Sequence, residues 1–439
     1  MRESLRSFSS ARFGRPRRGP APVPPPAVDP LATPPNLFTT AQSGFTDTAH
    51  IDFRGNWEVQ SGRLVCTGAD AGQAARLSLA EAMTPGHALF IHADHQPTAG
   101  ALRMRFASPG LSPSRQLTDT HMDFEYITSG DSAYAATRID LQPTADYAGS
   151  VDDIQAYDLS TVDPNDVPCY VLLVGGDSNS ANATSQRFGD EIPMSARETP
   201  FDPAIWYLPL LLATGNYPTT DSTRHVPQPC IEPVAAVEAR RMSPVHAVAG
   251  ELVEWCMARG RPLLVMALGD PGSGLQGSKG VWGRGVVPDP GQPQMFDEML
   301  AMKAAVEALG PAHEIIGAVW SMGANDLTGA GYTAPGQWVD QMVQFVSDVR
   351  ADLADVPMVL WSVGQHYEPS PYDGRGAAML AAQLLLDKDS GDARAIDRFC
   401  VVTPETGNEL SNADDPHYDA HGMQQNGRDA GQALLSLLR

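Results

Sequence analysis

The sequence predicts an α/β fold: a three-layer α/β/α unit on a parallel sheet over residues 166–439, preceded by an all-β, jelly-roll-like sandwich over 38–160. Three observations predict it. From about residue 166 short apolar runs alternate with amphipathic stretches. Between 38 and 160 the runs instead alternate apolar and polar residues with a period of two. Residues 1–37 follow neither pattern and read as a basic, proline-rich arm.

The arm carries arginines at 2, 6, 12, 15, 17 and 18, then prolines at 20, 22, 24, 25, 26, 30, 34 and 35. Proline removes backbone donors and favours extended polyproline chain, so the arm is expected to be disordered or to order on a partner. No apolar stretch follows the arginines, so a secretory signal peptide is not expected. No apolar run is long enough to suggest a membrane span.

The sandwich rests on runs such as Leu102 to Phe106, Met122 to Tyr126 and Arg138 to Leu141, separated by turn residues including Pro85-Gly86 and Ser129-Gly130-Asp131. Trp57 is either a core residue or a sugar platform, with core favoured by burial statistics.

In the second unit, Tyr170 to Val174, Leu263 to Leu268, Ile315 to Trp320, Met358 to Val363 and Phe399 to Val402 have the continuous apolar character of strands covered on both faces. Between them, Gln337 to Leu353 sets Val339, Met342, Val343, Val346, Val349 and Leu353 on one stripe of a helix. Ligands of such sheets bind beyond the carboxyl ends of the strands, so chemistry is sought just after each run.

There are 30 Lys and Arg against 52 Asp and Glu, a net charge of -22, which argues against nucleic acid and anionic membrane surfaces as partners. The five cysteines are odd in number and scattered without a CxxC pair, which argues against a zinc ribbon or disulfide framework; Cys169 and Cys400, in apolar runs, are expected as buried thiols.

Three segments carry candidate chemistry. After the first strand, Gly175-Gly176-Asp177-Ser178-Asn179 places a serine on a turn into an expected helix, whose free N–H groups suit an oxyanion. After the third named strand, Ser321-Met322-Gly323-Ala324-Asn325-Asp326 offers Gly323 for close backbone approach and the Asn325 amide as a donor; an Asn-Asp helix cap is the plainer alternative. Near the C-terminus, Asp414-Asp415-Pro416-His417 has the spacing for a carboxylate to orient a histidine.

Gly-Asp-Ser, Gly-x-Asn-Asp and Asp-x-x-His, in this order and each after a strand, resemble blocks one, three and five of the SGNH (GDSL-type) hydrolases. Val171 to Asn179, Gly317 to Gly323 and His417 to Gly422 more narrowly resemble the sialate O-acetylesterase-like carbohydrate esterases. The resemblance spans about 166–439. It implies an SGNH hydrolase domain in which Ser178 is the nucleophile, His417 the general base and then acid, and Asp414 the group that orients His417. The oxyanion hole would be Ser178 N–H, Asn325 and a glycine of Leu268 to Gly274. Gly272 is preferred there over Gly274 and Gly269, with Gly323 and Asp177 in support. Those esterases usually carry Gly-Gln-Ser-Asn and Gln-Gly-Glu where this chain has Gly176-Asp177-Ser178-Asn179 and Met322-Gly323-Ala324-Asn325, so the substrate is less constrained than the triad.

The reaction implied is removal of O-acetyl groups from carbohydrate or cell-surface polysaccharide through an acyl-enzyme, with no metal and no cofactor. The arm, the sandwich and the esterase-like unit together also resemble spike or fibre proteins of phage-like particles. That implies synthesis in the cytoplasm, docking of residues 1–37 onto other particle subunits and binding of host polysaccharide. A non-catalytic polysaccharide-binding spike is the rival of another class, and oligomeric state stays open, a homo-oligomer included.

A zinc site is the other rival, because His417 and His421 lie four apart among Asp414, Asp415 and Asp419. The glutamate of His-Glu-x-x-His is missing, and Gly422 reads as the start of a helix. Trp282 with the glycine-rich stretch 272–285 is expected as a mobile loop over the site. The proline-rich insert 199–233 is expected to shape substrate choice, and His366 lies either near substrate or in the core.

Overall fold

The computed structural model describes residues 30–34, 36–68, 73–80, 89–106, 115–117, 123–127, 138–180, 202–209, 227–230, 243–276, 280–327, 333–364, 375–404, 417–418 and 420–439.

After a single capped turn, α1 (Thr40–Ser43), ten strands form two antiparallel sheets. One has the spatial order β1 (Ile51–Asp52), β4 (Ala75–Ser78), β9 (Arg138–Pro143), β6 (Leu102–Phe106), β7 (Arg115–Leu117). The other runs β2 (Trp57–Gln60), β3 (Arg63–Cys66), β10 (Ala148–Asp158), β5 (Leu89–Ala99), β8 (Asp123–Ile127). Alternate residues such as Leu64, Leu77, Ile91, Leu102, Leu141 and Val151 enter one shared core, as period-two patterning requires. Trp57 is part of that core, its indole N–H donating to Gln73 O at 3.0 Å, so it offers no platform to a sugar.

Phe90, Leu159 and Val162 belong to the larger core of the following sheet, and Leu31 N–H donates to Met257 O at 2.9 Å. The antiparallel part and residues near 31 therefore pack directly on the α/β part.

That part is a seven-stranded sheet ordered β13 (Gln228–Pro229), β12 (Ile205–Pro209), β14 (Leu263–Gly269), β11 (Tyr170–Gly176), β15 (Glu314–Ser321), β16 (Met358–Trp361), β17 (Phe399–Val402). All neighbours are parallel except the edge pair β12 and β13. The five apolar runs of the sequence are five of these strands. The other two lie within 199–233: Ile205–Pro209 is a strand beside β14, so part of the proline-rich insert belongs to the sheet. Pro203 just before it and Pro209 at its end disguise it.

Helices cover both faces. Gly317 of β15 lies against Leu434 of α6 (Ala420–Leu438), while Trp320, three residues on and therefore on the opposite face, meets Phe345 of α4 (Pro335–Asp352) with ring centroids 5.3 Å apart. α2 (Val245–Met257) packs beside α6, and α3 (Met295–Glu307) brings Phe296 to Phe345 at 6.3 Å on the other side. α5 (Arg375–Leu384) precedes the last strand. All five cysteines are thiols; Cys169 is buried, but Cys400 is only half-buried, correcting its expected burial.

Among the described residues no helix is long and apolar enough to cross a membrane.

Candidate active site

β11 lies between β14 and β15, with Gly176 in register with Gly269 on one side and Ser321 on the other. The three turns leaving these strands therefore start side by side at one edge of the sheet.

The nucleophile turn is tied to both neighbours. Gly176 has φ +125°, and a Cβ there would lie 1.8 Å from Ser321 O, so only glycine lets the chain cross this close. Asp177 N–H donates to that Ser321 carbonyl at 2.8 Å, while Gly176 O accepts from Asp270 N–H at 3.0 Å and from Ser273 Oγ at 3.1 Å. Ser273, which sequence reasoning missed, is fully buried and accepts the Trp282 indole N–H at 2.9 Å. Trp282 is thus packed beneath the site, edge-on to Trp320 at 5.0 Å, and is no part of a cover over it.

Ser178 Oγ lies 2.7 Å from His417 Nε2, a hydrogen bond that joins residues 239 positions apart. The hydroxyl donates whenever Nε2 carries no proton. Both side chains are largely buried, with relative exposures of 9% and 5%. His417 is followed by Tyr418, whose ring packs on Trp361 at 5.5 Å and anchors the segment to the end of β16. Because α6 begins at Ala420, His417 precedes the helix and shares no helical face with His421, which removes the spacing argument for zinc. Asp414 and Asp415 lie outside the described residues, as do His366 and the helix expected after Ser178.

Asp177 turns inward. Its carboxylate accepts from Asn179 N–H at 3.0 Å and Ser321 Oγ at 3.4 Å. Burial pushes its pKa up to about 7, and Asp326 adds to the rise; the Asn179 N–H, the nearby His417 charge and the Ser321 hydroxyl oppose it. Asp177 is therefore a buried acid within electrostatic reach of His417, a role its place beside the serine did not reveal.

The turn after β15 differs in part from expectation. Gly323 has φ +121°, and a Cβ there would meet Gln383 Nε2 at 2.6 Å, so its close approach is to a protein amide. Asn325 opens a single 3-10 turn, Asn325–Leu327, and its Nδ2 donates to Ser273 O at 3.0 Å. Among the described residues Asp326 caps no helix. It reaches across to the β14 turn, accepting from Leu275 N–H at 3.1 Å and from the Trp338 indole N–H at 2.8 Å. Burial pushes its pKa up to about 6 against the pull of these donors and of Gln276 N–H.

Of the three candidate glycines, Gly274 already donates its N–H to Gly280 O at 3.0 Å, and Gly269 lies inside β14. Gly272, at φ +88° in the turn, has an N–H with no acceptor among the described residues. Around the serine, the N–H groups of Asn179 and Ser180 are taken by Asp177, whereas that of Ser178 has no acceptor among the described residues.

No family model matches the chain, and no curated protein matches it. Among solved structures it is similar to a protein of Arabidopsis thaliana, at 14% identity and TM-score 0.44, over 61% of this chain and 98% of that one. It is also similar to NanS, at 12% and 0.40 over 61% and 97%, and to a family two carbohydrate esterase from Cellvibrio japonicus, at 12% and 0.38 over 89% and 95%. Likenesses this distant carry no functional argument, and the chemistry rests on the residues of this chain.

Proposed function

We propose that the chain is a serine esterase of the SGNH type that removes O-acetyl groups from carbohydrate. The observation that carries the proposal is the 2.7 Å contact between Ser178 Oγ and His417 Nε2 at the carboxyl edge of a parallel sheet. A hydroxyl is a weak nucleophile, and an imidazole placed to take its proton is what activates it.

In the first step Ser178 Oγ attacks the ester carbonyl carbon as His417 Nε2 takes its proton. The carbonyl oxygen becomes an oxyanion facing Ser178 N–H, Gly272 N–H and the Asn325 amide. The tetrahedral species collapses to an acetyl-enzyme as His417 returns the proton to the leaving alcohol. Water, deprotonated by the same nitrogen, then releases acetate. Asp414, three residues before His417, is assigned to hold its Nδ1–H, and the buried Asp177, when ionised, adds its charge in favour of the imidazolium.

Residues 38–160 are assigned as a jelly-roll-like sandwich that presents the glycan, and residues 1–37 as the attachment of the chain to a particle subunit in a spike-like assembly. The rival, a binding protein without chemistry, gives no reason for a buried serine and histidine to meet at hydrogen-bond distance.

The test is hydrolysis of p-nitrophenyl acetate and of acetylated polysaccharide by the native chain and by Ser178→Ala. The native chain is expected to turn over both, and Ser178→Ala to lose about a thousandfold or more in kcat. Equal rates for the two proteins would refute the assignment.

A further inference from the structure

The esterase proposal leaves unexplained what holds the turn that carries Asn325. β15 and β16 remain in register as far as Ser321 and Trp361, and beyond that pair they part. The next backbone groups, Met322 C=O and Val363 N–H, belong to residues that are 1% and 4% exposed, so leaving them unbonded would be costly.

Gln383, the penultimate residue of α5, fills the gap. Its Nε2 donates to Met322 O at 2.8 Å, and its Oε1 accepts from Val363 N–H at 2.9 Å. The side chain is fully buried, 61 and 20 residues away in sequence from the groups it binds. A carboxamide offers a donor and an acceptor as a peptide group does, so Gln383 continues the sheet between two strands that no longer touch. Its Nε2 also lies 2.6 Å from where a Cβ on Gly323 would stand, so it packs against the turn between Met322 and Asn325.

We infer that Gln383 is a positioning residue of the esterase site: by clamping Met322 and packing on Gly323 it sets where the Asn325 amide stands when the oxyanion forms. Asn325 is fixed from its other side by Ser273 O, so the donor is held between the β14 turn and α5. The inference rests on the proposed oxyanion role of Asn325. The substrate's ground state gains little from this donor, so loss of Gln383 falls on kcat with little change in KM.

The test compares the native chain, Gln383→Met and Gln383→Glu on p-nitrophenyl acetate, with circular dichroism to check folding at each pH. Methionine keeps the length and removes both hydrogen bonds. A displaced oxyanion donor is expected to lower kcat about 10- to 100-fold, with KM within about twofold. In Gln383→Glu the neutral acid still donates to Met322 O and accepts from Val363 N–H, whereas the carboxylate faces the Met322 carbonyl. That variant should lie within about threefold of native kcat at pH 6 and fall about tenfold or more below it by pH 9, while folded.

A native kcat in Gln383→Met, or a native pH profile in Gln383→Glu, overturns the inference. So does a loss confined to KM. If Gln383→Met does not fold, the pH profile of Gln383→Glu decides alone. Native hydrolysis that Ser178→Ala abolishes while both Gln383 variants behave as native removes only the inference. Native hydrolysis that survives Ser178→Ala removes the esterase proposal and the inference together.

Discussion

Asp177→Asn tests the electrostatics of the site through stability. The Asp177 carboxyl is buried and its pKa stands near 7, against 3.8 in an unfolded chain. The native state therefore keeps a proton that the unfolded state gives up between those values. Stability contributed by the neutral acid is fully present below about 3.8, declines as pH rises, and is gone above about 7. One such proton changes stability by up to about 1.4 kcal/mol per pH unit, which integrates to about 4 kcal/mol across the window. Asparagine keeps an oxygen for the Asn179 N–H and the Ser321 hydroxyl but does not titrate.

The assay is urea unfolding of both proteins at pH 5 and pH 8. Asp163 and Asp202, whose pKa values burial also raises, are common to both proteins, do not couple to Asp177 and cancel in the difference. Relative to the native chain, Asp177→Asn is expected to gain about 2 to 3 kcal/mol of stability on going from pH 5 to pH 8, less than the full window because pH 5 already lies inside it. A difference that stays within about 0.5 kcal/mol at both pH values, against that expected gain, would show that Asp177 is not the raised acid.

Gly176→Ala sets a methyl 1.8 Å from Ser321 O at a φ of +125°; backbone strain and overpacking together should cost about 2 to 5 kcal/mol, read as a lower Tm, with reduced p-nitrophenyl acetate turnover. An unchanged Tm would mean that the crossing of β11 and β15 is looser than described. Trp338→Phe removes the indole donor to Asp326 and leaves a buried carboxylate short of a partner, at an expected cost of about 2 to 4 kcal/mol in urea unfolding. A cost below about 1 kcal/mol would imply that Asp326 is already neutral and needs no such donor.

How much was legible in the sequence follows from how each feature is encoded. The strands β11, β14, β15, β16 and β17 were legible because burial on both faces makes a strand a continuous apolar run, as in Val171-Leu172-Leu173-Val174. Ile205–Pro209 was missed because proline density signals loop. Its register beside β14 is a long-range fact. Ser178 and His417 stand out in the sequence because each follows or precedes a regular element in a recognisable motif, and the fold brings their side chains to 2.7 Å.

Gln383, Ser273 and the true partner of Asp326 were not legible. Each makes a hydrogen bond to a residue far away in sequence, 61, 97 and 51 positions respectively, and no local periodicity records such a pairing. Trp282 misled for a related reason: a tryptophan in a glycine-rich stretch reads as exposed loop, and its burial rests on tertiary contacts with Ser273 and Trp320.

The most direct measurement of the central claim is covalent labelling by a fluorophosphonate, followed by intact-mass and peptide analysis, with and without a metal chelator. The account predicts one phosphonyl group per chain, on the peptide containing Ser178, absent in Ser178→Ala, slowed strongly in His417→Ala and indifferent to the chelator. No label on Ser178 in a folded chain that still hydrolyses p-nitrophenyl acetate, with that hydrolysis abolished by the chelator, would contradict it.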